Sequence, residues 1–257
     1  MLSIRNKNKY FVAMVAAVGF ILAPTVRAEN VEISLDRVFV PESGYGSNNI
    51  VQLTLDGRLP NSCYQLGKST VETKDGGHSF IVHQFAERQI EGVCANGAAL
   101  PSHLADSVPF TYDVNIGRLS AGKYQVNYDS TSHEPRSRRF NVYASKHITA
   151  DDFPYAAVST VMMWDIVNGT QPVSVQLGGT FTSTCSYLAD VKVTEEDDVI
   201  VLQPILGQRK DRACEPKSTP FTQKVDLGLL NEGRFLLHVR AMSGNAINHA
   251  FSVIRPD

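Results

Sequence analysis

Phe110-Thr111-Tyr112-Asp113-Val114-Asn115-Ile116-Gly117-Arg118-Leu119-Ser120-Ala121-Gly122-Lys123-Tyr124-Gln125-Val126 is echoed without a gap by Phe221-Thr222-Gln223-Lys224-Val225-Asp226-Leu227-Gly228-Leu229-Leu230-Asn231-Glu232-Gly233-Arg234-Phe235-Leu236-Leu237. Phe, Thr, Val, Gly, Leu and Gly coincide, and Asn/Asp, Ile/Leu, Lys/Arg, Tyr/Phe and Val/Leu form conservative pairs. The chain is an internal duplication. The register holds downstream to Phe140/Phe251 and Val142/Val253. A second block upstream matches Val51, Leu53, Leu55, Gly57, Leu59 and Cys63 with Val173, Val175, Leu177, Gly179, Phe181 and Cys185.

Within each copy apolar residues recur at every second position, the period of a strand with one inward face. Glu29 to Val40 reads as a first strand, ended by Pro41 and a Gly44/Gly46 turn, and Ile50 to Leu59 as the next. A strand opening at Cys63 turns at Asp75-Gly76-Gly77 and returns as Phe80 to Phe85. Its counterpart from Cys185 turns at Glu195-Glu196-Asp197-Asp198 and returns as Val199 to Gln203. About seven strands per copy emerge. The first copy carries an extra surface loop, Ala95 to Val108, where the second passes directly from Cys214 to Phe221.

Arg5, Lys7 and Lys9 precede an apolar run from Phe11 to Ala23, then Pro24 and Val26-Arg27-Ala28, the pattern of an export signal cleaved after Ala28. The run is shorter than the roughly 20 residues of a spanning helix, and no second long apolar run follows. Removing residues 1–28 takes away Arg5, Lys7, Lys9 and Arg27 and no acid, so the 24 basic side chains fall to 20 against 26 acidic ones. That balance disfavours nucleic acid and anionic lipid surfaces as partners. The expected organisation is a signal peptide at 1–28, one β-sandwich at 29–146, a short linker at 147–154 and a second sandwich at 155–257.

Four cysteines in an exported chain are expected to pair, and three connectivities are open. The duplication selects Cys63–Cys94 and Cys185–Cys214, which occupy the same places in the two copies. In a hairpin the start of one strand lies beside the end of its partner, so each bridge closes an open hairpin end.

Leu119-x-x-Gly122-x-Tyr124-x-Val126 resembles the corner before the sixth strand of immunoglobulin-like sandwiches, where a Tyr sits two positions ahead of a core residue. The resemblance implies an all-β fold of two tandem immunoglobulin-like antiparallel sandwiches. Val126 and Leu237 stand where antibody domains carry a Cys, and Phe235 has no hydroxyl, so antibody-type domains are excluded. The proportions of the chain also resemble pilus-type periplasmic chaperones, which hold a subunit's terminal carboxylate with basic side chains and add a strand to it. The segment Arg138-Arg139-Phe140-Asn141-Val142-Tyr143 is short for that purpose, and the two copies are more alike than chaperone modules are.

No catalytic, cofactor or metal set is expected. No pair of the seven histidines has the spacing of a zinc helix or a nucleophile series, and they read as surface or edge residues. Glu195 to Asp198 lacks the alternating ligands of a calcium loop and reads as a solvated turn. Arg136, Arg138 and Arg139 read as a solvated loop. Asn168-Gly169-Thr170 has the form of a glycan acceptor and of a hairpin turn. Trp164 is assigned either to the second core or to the packing between copies. The expected function is a non-enzymatic exported protein, periplasmic or extracellular, that binds another protein. Candidate contact residues are Pro101 and His103 in the extra loop and the basic group Arg209, Lys210 and Arg212. Alternatives are an inhibitor that fills a hydrolase cleft with that loop and a chaperone of the pilus type.

Overall fold

The computed structural model describes residues 29–42, 45–89, 92–94, 100–129, 135–146 and 153–255. The expected export signal, Gly44, His133, Ala95 to Ala99 and most of the expected linker lie outside the described residues. In the first half the strands are β1 (Glu29–Ile33), β2 (Leu35–Phe39), β3 (Tyr45–Gly46), β4 (Val51–Leu59), β5 (Tyr64–Lys74), β6 (Ser79–Arg88), β7 (Val108–Gly117), β8 (Gly122–Asp129) and β9 (Pro135–Tyr143). A short helix, α1 (Ser102–Ala105), lies in the extra loop. In the second half they are β10 (Val158–Met162), β11 (Ile166–Asn168), β12 (Val173–Ser183), β13 (Ser186–Glu196), β14 (Val199–Gln208), β15 (Pro216–Gly228), β16 (Gly233–Arg240) and β17 (Ala246–Ile254).

The fold is all-β, and each sheet draws its strands from one half alone. Sheet β1-β6-β8-β9-β3, with β5 also on β6, faces β2-β4-β7; sheet β11-β17-β16-β14-β13 faces β10-β12-β15. The inward residues form one core in each half, around Leu53, Leu55, Val126 and Phe140 in the first and Leu177, Leu202, Leu237 and Phe251 in the second. The duplication extends to individual hydrogen-bonded partners. Tyr124 lies opposite Phe140 and Phe235 opposite Phe251, while Val51 lies opposite Gly117 and Val173 opposite Gly228.

Two expectations are corrected. Glu29 to Val40 is two strands: β1 pairs with β6 and β2 with β4, so the chain changes sheets at Ser34 while its alternation continues. The sheets are also not wholly antiparallel, since β6/β8 and β14/β16 run parallel. Each of these pairs is separated in sequence by one strand of the opposite sheet, and such a crossover restores the original direction. The second half copies the role of β1 with an irregular segment: Leu206 N donates to Pro154 O (2.6 Å) and Ala156 N to Pro204 O (2.8 Å). Pro154, expected in the linker, therefore lies along β14.

The coincident residues of the quoted stretch have identifiable work. Phe110 and Phe221 lie opposite Gly57 and Gly179. A Cβ on Gly57 would stand 2.9 Å from the Phe110 ring, and one on Gly179 only 2.7 Å from the Phe221 ring. Gly117 and Gly228 end their strands at φ 94° and 78°, where a side chain would be strained. The Tyr124 hydroxyl donates to Ser120 O at 2.7 Å, the hydrogen bond implied by the resemblance. Phe235 makes no such bond and stacks on Phe251 at 5.7 Å. Tyr124→Phe should therefore cost about 1 kcal/mol in urea unfolding, whereas a loss within experimental error would mean that the corner contributes nothing.

Both disulfides join the expected cysteines, with Cα–Cα distances of 5.5 Å for Cys63–Cys94 and 5.3 Å for Cys185–Cys214. Closing sequence separations of 31 and 29 residues, each contributes about 3–4 kcal/mol in a loop-entropy account. No helix among the described residues is long and apolar enough to cross a membrane.

Candidate functional site

The sequence-derived contact residues lie in separate halves, each group beside its own disulfide. Pro101 and His103 are exposed at α1, which is held near Cys63 by donation from Ser62 N to Leu104 O at 3.1 Å. Arg209, Lys210 and Arg212 are exposed after β14. The Arg209 guanidinium stands 5.7 Å from the Tyr187 ring centroid, and its backbone N–H donates to Cys185 O at 2.8 Å. These contacts place the two groups at corresponding ends of the two sandwiches and do not bring them together.

The structure instead concentrates polar and apolar contacts where the halves meet. The outer face of β2 and β4 lies against the outer face of β14, β16 and β17. Phe39, fully buried, packs with Val199, Val201, Leu236 and Ala250 in a third apolar cluster. β14 and β16 thereby bury both faces, which explains why Val199-Ile200-Val201-Leu202 and Phe235-Leu236-Leu237 are continuously apolar.

Around this cluster charges pair across the seam. Arg234 donates to Asp56 through Nε (3.3 Å to each oxygen) and Nη2 (2.8 Å to Oδ1), and Thr111 Oγ1 donates to the same carboxylate at 3.2 Å. Arg37 Nη1 donates to Arg234 O at 3.1 Å and lies 3.5 Å from Asp198 Oδ2, to which Arg138 Nη2 also donates. The acidic turn and the arginine run, both expected to be solvated, thus meet through Asp198 and Arg138. Multiple donors to the buried Asp56 and the half-buried Asp198 fix the register of the two faces more than they add net stability.

A third group is buried beside β3. The Arg240 guanidinium lies between two rings, 5.6 Å from Tyr45 and 5.7 Å from Tyr155, and its Nη2 donates to Asn49 Oδ1 at 3.0 Å. His238, expected at the surface, is 1% exposed, with its ring 6.0 Å from Tyr45 of the first half. Its Nδ1 lies 2.7 Å from Asn248 Oδ1, so Nδ1 carries the proton and donates, while Nε2 is buried with no hydrogen-bond partner among the described residues. Burial, and then the Arg240 charge, pushes its pKa from 6.5 down to about 3. Burial likewise raises the Tyr45 phenol above its ordinary range.

Beside the seam is a cleft of ≈ 1020 Å³ whose walls come from both halves, with Arg58, Arg136 and Tyr112 on one side and Asp165, Ile166 and His249 on the other. Its arginines are matched by acids, Asp36 and Asp56 among them, so it has mixed charge. Among the described residues no three His, Cys, Asp or Glu side chains gather as a metal ion would need.

Trp164 belongs to neither place assigned to it. It is 82% exposed, between Met162 at 54% and Ile166 at 63%. Asn168 holds its own turn, accepting from Thr170 N (2.9 Å) and Oγ1 (2.8 Å). The chain matches no protein-family model, no curated protein and no solved structure.

Proposed function

We propose that the chain is an exported, non-enzymatic protein that binds another protein, its two sandwiches held as one platform by the seam. The observation that carries this reading is the pair Met162 and Trp164, two large apolar side chains 54% and 82% exposed on alternate positions at the edge of the second half. Apolar side chains grouped at a surface mark places where other molecules bind. The test is photo-cross-linking in intact cells from positions 103, 162 and 209. Protein adducts are the expected result; no adduct from any position, or catalytic turnover by the purified chain, would sink the reading.

A second reading has one observation in its favour. Arg37, Arg58 and Arg136 stand along the cleft between the halves, as the basic side chains of a pilus-type chaperone would stand to take a terminal carboxylate. On that reading a peptide acid binds, the corresponding amide does not, and Arg136→Ala weakens the acid selectively.

A further inference from the structure

The duplication gives the outer surface of each half a counterpart in the other, and at one place one counterpart is covered while the other is bare. Phe39 pairs with Thr54 and Met162 with Gln176, the same register in the two copies. The preceding residues, Val38 and Val161, pack inward on their own cores. By strand alternation Phe39 and Met162 therefore point outward. Phe39 is 0% exposed and Met162 54%. Trp164, 82% exposed, continues the bare edge past the end of β10, the outermost strand of its sheet, while Ile166 lies on the other sheet and faces the cleft between the halves.

We infer that the exposed edge carrying Met162 and Trp164 is the docking surface for an aliphatic β-sheet face on a different protein, of the kind that β14, β16 and β17 present to Phe39 within this chain. The inference rests on the protein-binding reading above and states what the partner is made of. The covered counterpart shows what fits: Val199, Val201, Leu236 and Ala250, four aliphatic side chains on the outer face of a sheet. The surroundings refine this. Thr160 stands at the place of Arg37 and Gly178 at the place of Asp56, so the Arg37 and Asp56 charges of the seam have no counterpart here, and the charge nearest Trp164 in sequence is the exposed Asp165, 3.4 Å from His249.

A second copy of the chain does not supply such a face. Its β14–β16 surface is already filled by its own first half. The corresponding places on the first half, those of Val199, Val201, Leu236 and Ala250, hold Ser79, Ile81, Gln125 and Arg139. Setting Trp164 on those side chains would strip water from an arginine and an amide without offering them partners.

The experiment uses the exported full chain. A photoreactive phenylalanine is placed at Met162, with His103 and Arg209 as control positions, and cross-linked peptides are mapped by mass spectrometry. The expected adduct from position 162 lies on a strand of a different protein whose alternate, outward residues are aliphatic. Trp164→Glu lowers its yield about tenfold or more, while leaving the melting temperature unchanged because the side chain is exposed. Trp164 is the only tryptophan, so its emission reports the edge directly. A blue shift on raising the concentration of the pure protein would mean a second copy, and one on adding phosphatidylethanolamine–phosphatidylglycerol vesicles would mean a lipid surface; either overturns the inference. Adducts on charged or helical segments, or adducts from 103 or 209 with none from 162, overturn it too but leave the protein-binding reading standing. Silence at all three positions removes both.

Discussion

Phe39→Ala will lower the free energy of unfolding by about 3–5 kcal/mol, a loss of the size expected from a central core residue although Phe39 belongs to neither sandwich core. Its ring lies beneath Val199, Val201, Leu236 and Ala250, with the Arg37 guanidinium 5.8 Å from its centroid. Truncation removes the transfer energy of the ring and leaves a void that two rigid sheets close only in part. The loss falls on the contact between halves. Guanidinium unfolding should therefore separate into two transitions, one for each half, resolved by hydrogen exchange of peptides from residues 29–146 and from residues 153–255. Met162→Ala, the matched change in the second copy, should shift stability by no more than about 0.5 kcal/mol. Equal effects from the two substitutions would show that the seam contributes nothing beyond the separate cores.

Acidification should weaken the same seam through His238. Above its ordinary value of 6.5 the imidazole is neutral whether the chain is folded or unfolded. Between 6.5 and about 3 only the unfolded or opened state takes up the proton, so stability is fully present at neutral pH and falls as pH drops. The slope from this one group is about 1.4 kcal/mol per pH unit, or roughly 3 kcal/mol between pH 6 and pH 4. The charges facing it oppose protonation: Arg240 lies on the same strand, and Tyr45 and Asn248 offer no anion. His238→Asn should flatten this slope whatever it does to stability at pH 7.5, because the variant has nothing to titrate there. Chemical unfolding at half-unit steps from pH 7.5 to 4 would measure it, and parallel profiles for the two proteins would refute the assignment.

Much of the fold was legible because the chain states it twice. Cys94 and Cys214 could be assigned partners, and Phe140 and Phe251 could be set in register, by comparing copies. Periodicity was less informative where it describes side chains but not hydrogen-bond partners. The alternation Val31, Ile33, Leu35 runs unbroken across Ser34, although the backbone there leaves one sheet for the other. The parallel pairing of β6 with β8 leaves no mark in either strand's pattern.

The seam was missed for a related reason, although its signal was present. A sandwich core requires apolar residues on one face of each strand. The first copy obeys this with Tyr124-Gln125-Val126-Asn127, and the second does not, with Phe235-Leu236-Leu237-His238. Leu236 at an outward position needs a cover that its own sandwich cannot supply, and the difference between copies points to it. Trp164 ran the other way: size and apolarity argued for burial, but no local pattern states which sheet edge remains bare. The exposed loop residues Pro101, His103, Arg209, Lys210 and Arg212 carry no such contrast between copies.

The pairing of Phe39 with Leu236 also gives the tandem a direction. The two copies have diverged in complementary ways, one keeping the knob and the other acquiring the socket. A gene cut down to residues 29–146 alone, or to residues 153–255 alone, would leave its own side of that contact uncovered. Knob or socket would then face water, and such a chain would be expected to associate with its neighbours where the full chain folds back on itself.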